Sequence, residues 1–484
     1  MRKIFIIVLF LALGCFHLGA QNDYRKTYED FSRAVQQSYG SFTDTVNIAF
    51  AKAIGTEWAK YNLSEGNSRQ VDPEPDTLPI AEETQTVFHV VAVSAAIDTL
   101  PGQWPLETDS ALWTPKEPAD RNNSKVVKFL FYGSQQAVSV PKEYGVFHPK
   151  GISETDVAEF WVQLSKSDYK LILADCAKNV ELYGYNDWAV LEWVQALSSQ
   201  VFPRNIYSEQ TIFAVFLLNQ MGLMVKIARS DTQLISLFSS MQPVYARKFV
   251  IIDTYPFYLA EKSLSATEVF TYRADFMKPA HPLDLRIQKP ISLGVARSFK
   301  TYHKRSAFLN SSFDLPVNGE LIRFYSSYPQ TTISVYATAQ PEKRFSTALL
   351  AGIGNSLKRV DEEEKVNDLL AFVHTDFQYK TDLEQFGHEK PFFCEENFVN
   401  PYNDCEDRAA LFAFLVKGLT SCKVVLLEYP DHVSTAVRLP KEIKGDHIKI
   451  NGDNYYVCDP SFIGATAGMS MTKYKNVAVK VYAL

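Results

Sequence analysis

Apolar positions near the start of this chain recur with a helical period. Tyr24, Tyr28, Phe31 and Val35 form one run and Phe42, Val46, Phe50, Ile54, Trp58 and Tyr61 a second, with Gly40 between them, which predicts a helical hairpin or one broken helix. The period then shortens to two. Thr86 to Val93 and Val126 to Tyr132 read as strands, separated by a loop punctuated by Pro101, Pro105, Pro115 and Pro118. Ser153-Glu154-Thr155-Asp156 resembles a capping signal for a helix carrying Val157, Phe160, Trp161 and Leu164, and further helices are predicted at about Tyr169 to Tyr183 and Asp187 to Gln200.

Two stretches share a longer pattern. Glu209 to Leu223 is an apolar helix ending in Gly222-Leu223, followed by strands at Met224 to Ala228, Leu234 to Phe238 and Lys248 to Asp253. Glu406 to Leu419 is an apolar helix ending in Gly418-Leu419, with strands at Lys423 to Glu428 and from His432 to Val437. A third strand runs from His447 to Ile450, and an Asn451-Gly452 hairpin signal returns the chain as Tyr455 to Pro460. Residues 153–260 thus read as a degenerate copy of the C-terminal unit, with Glu209 where Cys405 stands, Thr232 or Gln233 near His432, and Asp253 at Asp459. Any buried helix followed by three strands would look alike, so strand order and direction decide the matter. Between the two, Val269 to Tyr272, Leu283 to Ile287, Leu321 to Tyr325 and Thr332 to Tyr336 read as strands of a connecting β-domain. Asp361 to Glu364 opens a helix with an acidic first turn that suits its dipole, burying Leu369, Leu370, Phe372 and Val373.

Asp404 and Asp407, three residues apart before a run that crowds Ala409, Leu411, Phe412, Leu415 and Leu419 on one face, put Cys405 in the first turn of a buried helix. The positive end of the dipole contributes only about 0.3 to 1 kcal/mol there, under one pKa unit. Glu406 and Asp407 push the other way. From a free-thiol pKa of about 8.5, Cys405 needs an imidazolium beside it to become a working thiolate. His432, at the head of the next strand but one, can supply it, and Asp459 after the returning strand can hold the ring. His374 and His388 are rival bases. His374 falls on the preceding helix and His388 in the charged loop Gly387-His388-Glu389-Lys390, and both read as solvated.

Asp404-Cys405-Glu406-Asp407 opening a helix, His432 heading a strand and Asp459-Pro460 ending the strand after it resemble the transglutaminase-like superfamily of papain-type thiol enzymes. The bacterial transglutaminase-like cysteine peptidases are the nearest named group. The resemblance covers about Asp361 to Met471. It implies an α+β fold: a C-terminal transglutaminase-like, papain-like domain with a helix packed on an antiparallel sheet, preceded by helical and β-rich domains. Histidine and aspartate stand 27 residues apart, a longer interval than the family suggests, accounted for if Lys441 to Asp446 is an inserted turn. The aromatic that the family carries upstream of its cysteine is no clear tryptophan here, and Phe392, Phe393 or Tyr379 would fill that place.

The expected organisation is a leader at 1–20, a helical hairpin at 21–65, a linker at 66–84, a β-containing segment at 85–152, the α+β domain at 153–260, a β-rich domain at 261–350 and the catalytic domain at 351–484. Met1-Arg2-Lys3, an apolar run from Ile4 to Leu18 and Gly19-Ala20 read as a signal peptide cleaved after Ala20, so the product is expected to be exported, periplasmic or extracellular. Cys15 after Gly14 hints at a lipobox, and a lipid anchor would be the one membrane attachment. With 46% apolar and 13% aromatic residues the chain can bury a large core. The net charge of -6, two units more negative once Arg2 and Lys3 leave, and the lack of a basic stripe argue against nucleic acid. Cys176, Cys394, Cys405, Cys422 and Cys458 remain, an odd number that leaves at least one free thiol in an exported protein. Gly352-Ile353-Gly354 lacks the context of a nucleotide loop. HExxH, EF-hand and paired CxxC patterns are absent, so neither cofactor nor metal is expected.

The expected chemistry is attack of a Cys405 thiolate, paired with protonated His432, on an amide carbonyl. His432 gives its proton to the leaving amine, a thioester remains, and Asp459 orients the ring. The Cys405 backbone N–H is one oxyanion donor, with Gln378, Tyr379 or Asn403 as the second. Water would complete hydrolysis and a second amine transamidation. Three functions remain open: an exported cysteine peptidase or amidase acting on protein, peptide or peptidoglycan-like amides of the cell envelope; a transamidase or acyltransferase on the same triad; and a non-catalytic envelope binding or assembly protein. The enzyme reading requires the imidazole to bridge thiol and carboxylate and a cleft to reach the sulfur.

Overall fold

A computed structural model describes residues 45–66, 78–81, 89–91, 121–261, 264–276, 280–357 and 359–484. The leader, the first run of the expected helical hairpin and most of the Thr86 to Val93 strand lie outside the described residues. The described chain is α+β, with sheets built from antiparallel pairs apart from one short parallel pair and some isolated parallel bridges. No described helix is long and apolar enough to cross a membrane.

The described residues begin with a helix over residues 45–54 (α1), which buries Phe50, Ala51 and Ile54. The helical period runs on to Tyr61 in the sequence, but the helix stops short of it. Trp58 Nε1 donates to the Ile54 carbonyl at 2.7 Å, and Ala59–Asn62 (β1) pairs instead with a strand far along the chain. Ser124–Phe131 (β2) and Ser134–Pro141 (β3) form a hairpin whose two turn residues, Tyr132 and Gly133, both take positive φ, the geometry that matches strand twist. Glu154–Lys166 (α2), Lys170–Tyr183 (α3), Asp187–Val201 (α4) and Glu209–Gln220 (α5) follow. Ser153 caps α2, bonded to Asp156 both ways, as its sequence predicts. Then come Val225–Ser230 (β4), Gln233–Phe238 (β5), Phe249–Ile252 (β6), Tyr255–Leu259 (β7) and Glu268–Thr271 (β8), in the spatial order β1-β8-β4-β5-β7-β6 with every pair antiparallel.

The second half repeats this plan. Phe299–Ser306 (β9) and Ser311–Asn318 (β10) form a hairpin. Gly319–Ser327 (α6), Ile333–Thr338 (α7), Lys343–Gly354 (α8) and Glu362–Asp376 (α9) follow. Gln378–Tyr379 (β11), Asp382–Phe386 (α10) and Tyr402–Asn403 (β12) lead to Cys405–Leu419 (α11). The sheet then comprises Lys423–Tyr429 (β13), His432–Arg438 (β14), His447–Ile450 (β15), Asp453–Cys458 (β16) and Lys480–Ala483 (β17), in the order β17-β13-β14-β16-β15, again antiparallel throughout. Strand for strand this is β8-β4-β5-β7-β6. The order and direction that could have separated the two units coincide, and the likeness extends upstream to the hairpins.

Register corrects the expected correspondence at one point. Two-residue turns join β4 to β5 and β13 to β14, so Gln233 stands where His432 does. Leu237 pairs with Leu259 and Thr435 with Cys458, which carries Ala260 onto Cys458 and Glu261 onto Asp459. Asp253, expected there, instead occupies the β6–β7 turn at positive φ, as Asn451 does between β15 and β16. The sequence reading ended the unit one strand early and so missed β7.

The expected β-rich domain at 261–350 is also different. Leu321 to Tyr325 lies in α6 and Thr332 to Tyr336 meets α7, so both are largely helical rather than extended. Asn318 Oδ1 accepts the Glu320 N–H at 3.0 Å, and Leu321, Phe324 and Tyr325 bury one face at helical spacing. Their aromatic and β-branched composition favoured strand while their spacing favoured helix. Leu283 to Ile287 forms no strand, and its one sheet-like pairing is the isolated bridge Ser240–Leu283. The two halves meet through aromatic rings: Trp188 touches Tyr328 and Tyr132 touches Phe324, while Phe393 packs on Tyr325, Tyr328 and Tyr336 within the second half.

Candidate active site

The residues ahead of α11 are set by a short parallel ladder, Gln378 beside Tyr402 and Tyr379 beside Asn403. Asp407 fixes the helix start: its Oδ2 accepts the Asp404 N–H at 3.4 Å and its Oδ1 the Phe392 N–H at 2.7 Å. Cys405 is therefore the first helical residue, as its sequence context predicts, and α11 lies against β13 and β14. His432 heads β14 opposite Tyr429. Its Nε2 meets Asp459 Oδ2 at 2.9 Å, and both side chains are buried. Asp459 is held from two further directions, since Oδ1 accepts the Ser461 N–H at 2.9 Å and its carbonyl contacts His374 Nε2 at 3.1 Å.

Sequence reasoning missed Tyr474. Its ring stacks on His432 with centroids 4.9 Å apart and planes 12° from parallel, and it also touches Tyr429. Burial first, then the charge of Asp431 and its hydrogen bond to the hydroxyl, raise the Tyr474 phenol above the usual range. Lys473 pairs with Asp431 beside it. No local signal marks Tyr474, which follows a turn-rich stretch from Asp459 to Thr472 and meets His432 only through the fold.

The structure thus joins His432 to Asp459 and sets Tyr474 beside them, but the sulfur is not open to a cleft. Cys405 is 1% exposed, His432 4% and Asp459 2%. Cys405 Sγ donates to Glu406 Oε2 at 3.3 Å. The three oxyanion candidates fare differently. Asn403 is buried with its Nδ2 on Asn397 Oδ1 and its Oδ1 on Arg408 Nε; Gln378 is exposed; Tyr379 lies under the Arg408 guanidinium, 5.4 Å from the ring centroid. His388 is exposed as expected, whereas His374, expected to be solvated, is buried against Asp459, and that burial lowers its pKa. All five described cysteines are free thiols.

A second group of ionisable side chains surrounds the helix start. The oxygens of Asp382, Glu389 and Glu406 lie within 4.8 Å of one another, as do those of Asp382, Asp404 and Asp407. Burial, with the charge of Glu406 next, pushes Asp382 up to about 8, and burial with Asp382 and Glu406 raises Asp407 well above the carboxylate range. Like charges this close inside a protein cannot all ionise, so the cluster retains protons at neutral pH. Lys390 lies beside Asp382 and Asp407, and Arg408, buried, reaches the Phe377 carbonyl at 2.7 Å. The cluster was invisible in sequence as a set because Asp382 and Glu389 come from α10 and the loop after it.

The N-terminal unit has Glu209, Gln233 and Glu261 at the corresponding positions. Glu209 is fully buried and bonds His148 Nδ1 at 2.9 Å and the Tyr207 N–H at 2.8 Å. With neither thiol nor imidazole at those places, this copy offers no nucleophile–base pair. The chain matches no family model, no curated protein and no solved structure.

Proposed function

We propose that the C-terminal unit is a transglutaminase-like thiol hydrolase that cleaves amide bonds in proteins, peptides or peptidoglycan-like polymers of the cell envelope. The observation that carries this reading is the buried His432–Asp459 pair at 2.9 Å on the sheet that α11 packs against, with Cys405 at the N-terminus of that helix. Asp459 engages Nε2, which leaves Nδ1 as the nitrogen to take the thiol proton. The imidazolium so formed is stabilised by the carboxylate and faced by the Tyr474 ring. A thioester on Cys405 follows, and water releases the acyl group; an amine in its place would make the same site a transamidase.

A closed sulfur means that substrate entry requires the turn carrying Lys473 and Tyr474, which lies over His432, to move. The same closure favours a second reading, a non-catalytic envelope protein that keeps the fold for binding. Incubating the full chain with labelled envelope peptides and amine donors separates the readings. The hydrolase predicts product release with a transient acyl adduct on Cys405, absent in Cys405→Ala and His432→Ala. Turnover that survives in Cys405→Ala would exclude this site, and an adduct resolved only by amine would favour transamidation.

A further inference from the structure

Glu406 is the neighbour of Cys405 in sequence and also the acceptor of its thiol proton, at 3.3 Å. It is fully buried, and its carboxylate belongs to the cluster with Asp382 and Glu389. We propose that Glu406 is a proton-operated latch on the nucleophile: ionised, it holds Cys405 as a neutral thiol; protonated, it becomes a donor to the thiolate and lets His432 take the thiol proton. The proposal rests on the hydrolase reading of the same site and adds its regulation.

The surroundings supply the reason for Glu406 to change state. From α10 and the loop after it, Asp382 and Glu389 approach within 4.8 Å. Lys390 adds a positive charge near Asp382 and Asp407. On the same helix stand Asp404, Asp407, which burial and its acidic neighbours keep protonated, and the Arg408 guanidinium. On the sheet side stand the ionisable groups His432, Asp459 and Tyr474, joined to one another by the His432–Asp459 pair and the ring stack on His432. Burial disfavours the charged form of a carboxylate, and Glu406 is the charge that helps keep Asp382 and Asp407 protonated, so Glu406 is the member of the group left for acid to neutralise. The balance is simple. One proton from solvent adds to the Glu406 carboxylate, the Cys405 proton passes to His432 Nδ1, and the new Glu406 O–H donates to the sulfur anion. No bond other than these to hydrogen forms or breaks. The nucleophile is therefore armed by acid, the inverse of an ordinary thiol.

The test follows the full chain from pH 5.5 to 8.5 by iodoacetamide labelling, with Cys405 resolved by peptide mass spectrometry, in wild type, Glu406→Gln and His432→Ala. Glu406→Gln keeps the shape and offers a permanent N–H donor. It should raise the Cys405 rate at pH 7.5 by about tenfold, equivalent to one pKa unit, and remove the loss of reactivity between pH 6 and 7.5. An unchanged or lower rate at pH 7.5 in a variant with wild-type circular dichroism overturns the latch. Should Glu406→Gln fail to fold, wild type still decides. The infrared S–H band assigned by difference against Cys405→Ser should be present at pH 7.5 and fade at pH 5.5, and a band that instead grows toward acid overturns the proposal. If His432→Ala changes the profile and Glu406→Gln does not, only the latch fails; if His432→Ala changes nothing, the hydrolase reading fails first.

Discussion

Tyr474 does two jobs at residue scale: it fills a buried space and faces the imidazole. It is almost fully buried against His432 and Tyr429. Tyr474→Ala should therefore cost about 3 to 5 kcal/mol, the usual range for deleting a buried aromatic, whereas Tyr474→Phe keeps both stacks and loses only the hydroxyl interaction with Asp431. Denaturant unfolding of the two variants checks this; equal losses would mean that the stack contributes little. Residues with a local signature were legible in the sequence. Cys405 follows an acidic cap and precedes an apolar face, His432 opens a strand, and Asp459 precedes a proline. Tyr474 and Asp382 carry no such signature, because what makes them matter is a contact across the fold.

At the scale of elements, periodicity served where one face is buried and failed where composition pulled against spacing. The helix α5 and strands β4 and β5, like α11, β13 and β14, follow apolar runs bounded by turn residues and lie close to where the pattern put them. The segments at Leu321 to Tyr325 and Thr332 to Tyr336 have strand-like residue types, yet the first is committed to helix by the Asn318 cap and by burial at positions three and four apart. Asn318→Ala should lose about 1 to 2 kcal/mol through the cap and through the Asn318 Nδ2 bond to the Leu293 carbonyl at 2.8 Å. A change below about 0.3 kcal/mol in chemical unfolding would contradict the role given to that cap. The strand β7 escaped notice because its two-residue turn, Asp253-Thr254, carries no glycine, and β17 because it is short and follows a long loop.

For the molecule as a whole, the candidate site stands in only one half of a repeated plan. Both units supply a helix start, a strand head and a strand end at matching places, and only the second fills them with thiol, imidazole and carboxylate. The strand order needed to see this lies in pairings between distant segments, which a single sequence does not display. The buried acids also tie global stability to pH. Asp382 and Glu395 are pushed up to about 8 and about 7, so between about pH 4 and those values the folded chain holds protons that the unfolded chain releases. Their contribution is complete in acid and is lost as pH rises toward 8. Burial of His374 acts in the opposite sense, but only up to about the ordinary histidine value near 6.5. Melting temperature should accordingly fall between pH 6.5 and 8, and Asp382→Asn should flatten that fall; a slope identical to wild type would contradict the assignment of Asp382.

The account stands on a thiol served by His432, and the most direct reading of that is the rate at which Cys405 takes up iodoacetamide at pH 6, resolved by peptide against the other cysteines. Wild type should react faster than an ordinary thiol with a pKa of about 8.5, and His432→Ala should fall to that ordinary rate. A Cys405 that reacts no faster than an ordinary exposed cysteine at pH 6, and is indifferent to His432, would contradict the enzyme reading and leave the binding protein.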